Sequence, residues 1–120
     1  MSSYTQSINE TRMEKKYLNA YAECGSGTSE NNLEIQINNN FRTTNMIGRD
    51  LKIKCFDYKI DSDGSMLILD VGIKLFDSAN SEIGSFKAIS KLSGMFVTDI
   101  ELNRITAARI FGYIKKNYIK

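Results

Sequence analysis

The sequence predicts an α+β fold in which a four-stranded antiparallel sheet is closed by a C-terminal helix. Successive runs in the second half alternate apolar and polar residues, as half-buried strands do. Residues 98–120 instead carry apolar residues every three or four positions, which is the helical period. A chain of 120 residues can bury one core but not two, so we expect a single domain. We divide it into an N-terminal helix with a flexible linker (1–32), the sheet (33–97) and the closing helix (98–120).

The first segment is predicted to be a helix. Ser7 and Glu10 fit a capping box, in which each side chain satisfies a free backbone amide at a helix start. The apolar residues that follow at helical spacing are Met13, Tyr17, Tyr21 and Cys24. Part of this segment also alternates like an edge strand, so the choice between helix and strand for residues 8–24 stays open. The composition of Gly25–Asn32 predicts a flexible linker.

The first two strands are predicted from apolar residues at every second position, which lie on one face of a strand. In the first strand the alternating apolar residues are Leu33, Ile35 and Ile37. Asn45 and Gly48 end this run. The second strand changes parity between Cys55 and Phe56, which requires one extra residue and therefore predicts a β-bulge. A hairpin turn at Asp61–Gly64 follows, in which the glycine takes a positive φ.

The third strand is predicted to lie at the centre of the sheet. Its alternating apolar residues are Leu67, Leu69, Val71, Ile73 and Leu75. The fourth strand runs from Ile83 to Val97. Thr98 and Glu101 form a second capping box and start the closing helix. The apolar stripe of that helix consists of Leu102, Ile105, Ala108, Phe111 and Ile114.

Composition narrows the class of partner and the compartment. The formal charge of +2 is too small to indicate nucleic acid or an acidic membrane as the main partner. Cys24 and Cys55 lack a CxxC spacing, and we expect two reduced, buried thiols, although pairing them would close a loop of about 30 residues. The start of the chain lacks signal-peptide features, and the longest apolar run, Met66–Leu69, is too short to cross a membrane. We therefore predict a cytoplasmic protein without a membrane segment.

No constellation of residues points to catalysis, a cofactor or a metal. Histidine, the commonest general base and metal ligand, is absent from the sequence. The segment Asp61–Ser65 resembles the start of a calcium loop, but Gly72 stands where the acidic twelfth ligand belongs, which favours a plain turn. Asp70 lies in the most apolar strand, and an ion pair with Lys54 or Lys87 on a neighbouring strand explains it most simply. The protein is therefore predicted not to be an enzyme.

The sheet and the closing helix resemble the SecB-type export chaperones and their relatives over about residues 33–116. The resemblance is carried by the segment Leu92–Phe96 and by Phe111-Gly112-Tyr113 within the helix. It implies a homo-oligomer with apolar grooves that bind extended, unfolded segments. Gly112 stands where the family has proline, and the family's second helix and acidic tail have no counterpart here. These departures argue against coupling to a translocase. A cystatin-like fold is the structural alternative.

These observations together predict a protein-binding module. The first hypothesis is a SecB-like chaperone, holdase or adaptor that binds apolar segments of client proteins. The alternative is an inhibitor from a phage or mobile element, of the anti-CRISPR or immunity type, that binds one folded target. The predicted contact residues are Phe56, Phe76, Phe86, Met95 and Phe96.

Overall fold

The computed structural model describes residues 1–10, 13–42 and 48–120. These residues form five strands and two helices. In chain order the elements are β1 (Ser2–Asn9), β2 (Asn19–Glu23), α1 (Thr28–Asn40), β3 (Arg49–Asp63), β4 (Met66–Phe76), β5 (Glu82–Ser93) and α2 (Asp99–Asn117).

The strands form one mixed sheet in the order β1-β5-β4-β3-β2. Strands β1, β5, β4 and β3 pair antiparallel with their neighbours, whereas β2 pairs parallel with β3. Both helices pack on the same face of this sheet, where their buried residues join one hydrophobic core with those of the strands. The prediction of a four-stranded antiparallel sheet with an N-terminal helix is therefore wrong. We call the sheet face without helices the open face.

The first 23 residues supply the two edge strands rather than a helix. Ser7 lies within β1, and Glu10 follows directly after it, so these two residues are not a capping box. In β2 the side chains of Ala20 and Ala22 are buried, while Tyr21 between them is half-buried. Of the two structures left open for this segment, helix and strand, the strand is the one observed.

Helix α1 occupies the region predicted as a linker and a first strand. Leu33, Ile37 and Phe41 are all buried, and they are spaced four residues apart, as on one side of a helix. Ile35, which the strand prediction placed on the same side, is exposed. The predicted strand break at Asn45 lies outside the described residues.

Several local predictions are confirmed. Strand β4 is the middle strand of the sheet. The pairing register of β3 shifts just after Phe56, where Asp57 has a φ of 51°, so a bulge lies close to the predicted position. Gly64 in the hairpin turn has a φ of 64°. The Thr98 side chain accepts a hydrogen bond from the backbone N–H of Glu101 and so caps α2.

Two predictions near the core need correction. Ala108 of the predicted stripe on α2 is exposed, and the helix instead buries Asn103, Thr106 and Ile110 in addition to predicted apolar residues. Cys24 and Cys55 form a disulfide, so the prediction of two reduced thiols is wrong. This bond joins the residue after β2 to the middle of β3.

Candidate functional site

The structure distributes the five predicted contact residues over three places. Phe86 is fully buried, and its ring packs against the ring of Tyr113 with 4.3 Å between the ring centroids. It belongs to the core and offers no surface to a partner. Phe56 and Phe76 lie half-buried in the sheet, and Met95 and Phe96 lie in the loop between β5 and α2.

On the open face, lysine side chains lie over the two phenylalanine rings. The Lys74 ammonium is 4.9 Å from the centroid of the Phe56 ring, and the Lys54 ammonium is 5.5 Å from that of Phe76. Such cation–π contacts let the lysines cover apolar rings while their charges stay in water. The open face is therefore mixed in character rather than an exposed apolar surface.

The predicted partner of Asp70 is confirmed on this face. Its carboxylate lies 3.4 Å from the ammonium of Lys87 on β5, which is one of the two lysines named by the sequence. Both side chains are partly exposed, so the pair contributes little to stability. Asp70 therefore has a structural explanation.

The loop between β5 and α2 presents an exposed apolar pair, Met95 and Phe96, which we call the apolar tip. Each of the two residues is 90% exposed. The loop is held at both ends, because the Gly94 N–H donates to the carbonyl of Ser65 at 3.3 Å and Thr98 caps α2. Large apolar side chains that stay exposed side by side are typical of interaction sites.

A polar network holds the start of α2 near the apolar tip. The Tyr58 hydroxyl donates to Oδ1 of Asn103 at 2.7 Å and lies 2.9 Å from the Ser29 hydroxyl. The Asn103 Nδ2 donates to the Ser29 carbonyl and to Oδ1 of Asn32, both at 3.0 Å. Burial raises the pKa of Tyr58, so this hydroxyl stays protonated as a donor at neutral pH. The network ties α2 to both α1 and β3.

A groove of about 810 Å³ runs between β1 and α2, and we call it the β1–α2 groove. Its basic residues are Arg104, Arg109 and Lys116, and none of the residues lining it carries a carboxylate. Arg104 is bound by Glu101 in the same helix at 2.5 Å, and this pairing lowers the pKa of Glu101. Arg109 donates from Nε to the hydroxyl of Ser3 at 3.3 Å. Because Glu101 offsets the charge of Arg104, the positive charge of the groove comes from Arg109 and Lys116.

Glu10 fastens the end of β1 to α2. Its carboxylate accepts hydrogen bonds from the hydroxyls of Tyr113 and Tyr118, the latter at 2.5 Å. Burial, together with this carboxylate, raises the pKa of both tyrosines far above the ordinary value of 10.0. The sequence predicts Glu10 in a helix cap. Its actual partners are more than a hundred positions away, so no local pattern indicates them.

The opposite edge of the sheet is covered by side chains of α1. Asn38 accepts a hydrogen bond from the Ala22 N–H at 2.7 Å and donates to the Ala22 carbonyl at 3.1 Å. Glu34 accepts from the Cys24 N–H at 2.8 Å. These contacts occupy backbone groups that an edge strand otherwise leaves free. Glu34 and Asn38 are four residues apart and therefore lie on one side of a helix, which is the sequence feature that could have indicated their contact with the edge of β2.

A metal-holding cluster and a membrane-spanning helix are both absent from the described residues. Within residues 1–10, 13–42 and 48–120, no three His, Cys, Asp or Glu side chains are placed to hold a metal ion. In the same ranges, no helix combines the length and apolar character needed to cross a membrane. Among the described residues, the apolar tip and the β1–α2 groove are two features that could bind another molecule.

Comparison with solved structures reveals a shared fold at very low sequence identity. A protein from Caulobacter crescentus CB15, provisionally classed as a lipoprotein, is 9% identical with a TM-score of 0.57, and the match covers 81% of this chain and 88% of that chain. A PelC variant from Paraburkholderia phytofirmans, solved as a dodecamer, is 8% identical with a TM-score of 0.50, covering 94% of this chain and 95% of that one. No family model and no curated protein matches the chain.

Proposed function

We propose that this chain is a non-enzymatic protein-binding module that docks on one folded partner through its apolar tip. The observation that carries the proposal is the exposure of Met95 and Phe96, each 90% exposed on a loop whose two ends are fixed. Interfaces commonly concentrate their binding energy in a few large side chains that enter a pocket on the partner. Burying one such side chain contributes about 1.5–3 kcal/mol.

The shape of the exposed surface favours one folded partner over many unfolded clients. A holdase needs a long apolar surface that accepts extended segments of varied sequence. Here the long groove mixes apolar residues with Arg104, Arg109 and Lys116, and the exposed apolar pair occupies a single loop. A point-like apolar anchor fits an adaptor or an inhibitor of one target. The SecB-like chaperone hypothesis stays a prediction.

The disulfide supports an oxidising compartment as the place of action. Disulfides persist in secreted, periplasmic and surface proteins and are rare in the cytosol. The Cys24–Cys55 bond therefore favours such a compartment over the cytoplasm that the sequence predicts.

Self-association stays a prediction, and the mass of the protein in solution measures it.

The test is capture of the partner by tagged protein carrying a photo-crosslinker at position 93, the exposed last residue of β5. Phe96→Ser is compared with Leu18→Ser, since Leu18 is also exposed, at 61%, but lies elsewhere in the chain. We expect one dominant crosslinked partner with fixed stoichiometry. Once that partner is purified, Phe96→Ser should weaken its binding by about thirty-fold, the size of a typical hot-spot loss, and Leu18→Ser should leave it unchanged.

Two results would contradict the proposal. Crosslinks to many unrelated unfolded proteins, with no dominant species, would favour a holdase. Equal affinities of the two variants for a purified partner would show that the apolar tip is not the anchor.

A further inference from the structure

We propose that the outer edge of β1 binds an extended acidic segment of a partner protein, which adds to the sheet as a sixth strand. Alternate side chains of that segment would enter the β1–α2 groove. The inference rests on the proposed function as a protein-binding module and names the chemistry of a second contact. It is argued from the two edges of the sheet and from the charge of the groove.

The two edges of the sheet differ in how their backbone groups are treated. On β2, Asn38 and Glu34 occupy the amides of Ala22 and Cys24 and the carbonyl of Ala22. On β1, no other described residue of the chain bonds the backbone on the side away from β5. Proteins normally protect exposed edges, because unpaired strand backbone readily pairs with another chain. Within the part of the chain that the structure describes, one edge is protected and the other is free.

The composition of β1 suits it to accept a strand. Its eight residues contain no charged residue and no proline, two of the usual means of preventing edge pairing, and its register shift against β5 lies at its far end, between Ser7 and Asn9. Glu10 beyond its end is bound to Tyr113 and Tyr118, so the strand is fastened to α2 rather than free to fray. A fixed strand with unpaired backbone is a template for β-augmentation.

The groove runs in the same direction as this edge. Ser3 near the start of β1 contacts Arg109, and Glu10 at its end contacts Tyr113 and Tyr118, so α2 follows β1 along its length. From Arg104 to Lys116 the helix advances about 18 Å at 1.5 Å per residue. That length corresponds to about five or six residues of an extended strand. A strand paired with β1 would therefore have its inner side chains beside the basic residues.

Charge selects the occupant. Arg109 bonds only a hydroxyl, and Lys116 has no ion-pair partner in the described ranges. No residue lining the groove is acidic, so carboxylates of an incoming strand would meet uncompensated cations. The β1 strand of a second copy carries no charge and would leave these cations unpaired. The occupant that the groove fits is thus an acidic strand from a different protein.

The test measures binding of short labelled peptides to the purified, oxidised protein by fluorescence anisotropy. The probe is a peptide of about eight residues that alternates Glu and Val, matching the two-residue period of a strand. The control peptides alternate Gln with Val and Lys with Val. We expect saturable binding of the Glu/Val peptide, about tenfold weaker binding of the Gln/Val peptide, and none of the Lys/Val peptide.

Two further changes separate strand addition from simple charge attraction. Arg109→Glu and Lys116→Glu should each weaken binding of the Glu/Val peptide by about tenfold. Lys115→Glu, on the same helix but outside the groove, should leave this binding unchanged. Because only one edge of an added strand faces β1, N-methylation of either the odd or the even residues of the peptide should abolish binding, while the other pattern is tolerated. The peptide changes leave the protein untouched, so they stay informative even if a variant fails to fold.

Several outcomes would overturn the inference. These are absence of Glu/Val binding, equal loss with Lys115→Glu, and equal tolerance of both N-methylation patterns. A doubling of the mass of the protein that the Glu/Val peptide does not reverse would show that β1 pairs with a second copy instead. Failure of the peptide experiment leaves the crosslinking test of the apolar tip intact, because that test depends on Phe96 and not on β1.

Discussion

Gly72 in β4 provides the space in which the Phe56 ring lies flat on the open face. A Cβ atom at position 72 would come within 2.4 Å of that ring. The ring is also covered by the Lys74 ammonium, so it has little freedom to move away. In contrast, Gly112 in α2 has no atom within 4 Å of the place its Cβ would occupy. The glycine at position 72 is therefore needed for packing, whereas the glycine at position 112 is not.

The first prediction compares alanine at these two glycines. Gly72→Ala should lower the free energy of unfolding by about 1–3 kcal/mol, because the Phe56 ring must be displaced. Gly112→Ala should raise it by about 0.5–1 kcal/mol, because alanine is the better helix former. Urea denaturation followed by circular dichroism measures both values. If Phe56→Ala does not reduce the cost of Gly72→Ala, the steric explanation is wrong.

Residues whose partners are close in sequence or diagonally adjacent on a neighbouring strand could be predicted. Thr98 finds its partner three residues away, and Asp70 finds Lys87 on the neighbouring strand. Glu10 could not be predicted in this way. Its role depends on Tyr113 and Tyr118, which lie more than a hundred positions away in the sequence.

At the scale of elements, α1 shows how one pattern can support two structures. Leu33, Ile35 and Ile37 alternate as in a strand, yet Leu33, Ile37 and Phe41 also follow a four-residue period. The helix is the structure that buries all three residues of the second set. It also places Glu34 and Asn38 against the β2 edge, so the polar residues gain partners as well. The alternation of apolar and polar residues within α1 does not reveal that the β2 edge lies beside it.

The second prediction concerns the covered edge. Asn38→Ala should lower the free energy of unfolding by about 1–3 kcal/mol, because it leaves the Ala22 N–H and carbonyl without their partner. Asn39→Ala is the matched control, since Asn39 is exposed on the same helix. The measurement is again urea denaturation, with light scattering to detect association through the opened edge. Equal stabilities of the two variants would show that α1 does not protect this edge energetically.

At the scale of the whole molecule, the α+β character could be predicted, but the five-stranded mixed sheet and the elements of the first third could not. The region from residue 49 onward follows the expected succession of three strands and a helix. The N-terminal residues were ambiguous because short amphipathic segments fit both periods, and their place in the sheet is decided by distant strands. The parallel pairing of β2 with β3 requires the crossover through α1, which the strand prediction for that region excluded.

The third prediction concerns the disulfide, which closes a loop between positions 31 apart. In the chain-entropy treatment, a loop of that size stabilises the folded state by about 3–4 kcal/mol. Reduction of the native protein should therefore lower the denaturation midpoint in urea, and the Cys24→Ser, Cys55→Ser double variant should match the reduced protein. Addition of reductant to that double variant should change nothing. A native midpoint that is insensitive to reductant would contradict the prediction.

The pairing of β1 with β5 also sets the order in which the domain can be completed. Ser3 and Ser90 contact each other across 87 positions of sequence, so β5 must be synthesised before β1 can join the sheet. Contacts of such long sequence separation slow folding. Since β1 forms one wall of the groove, that wall exists only in a finished domain. A partner that binds in the groove would therefore distinguish domains in which β5 and α2 are folded from chains that still lack them.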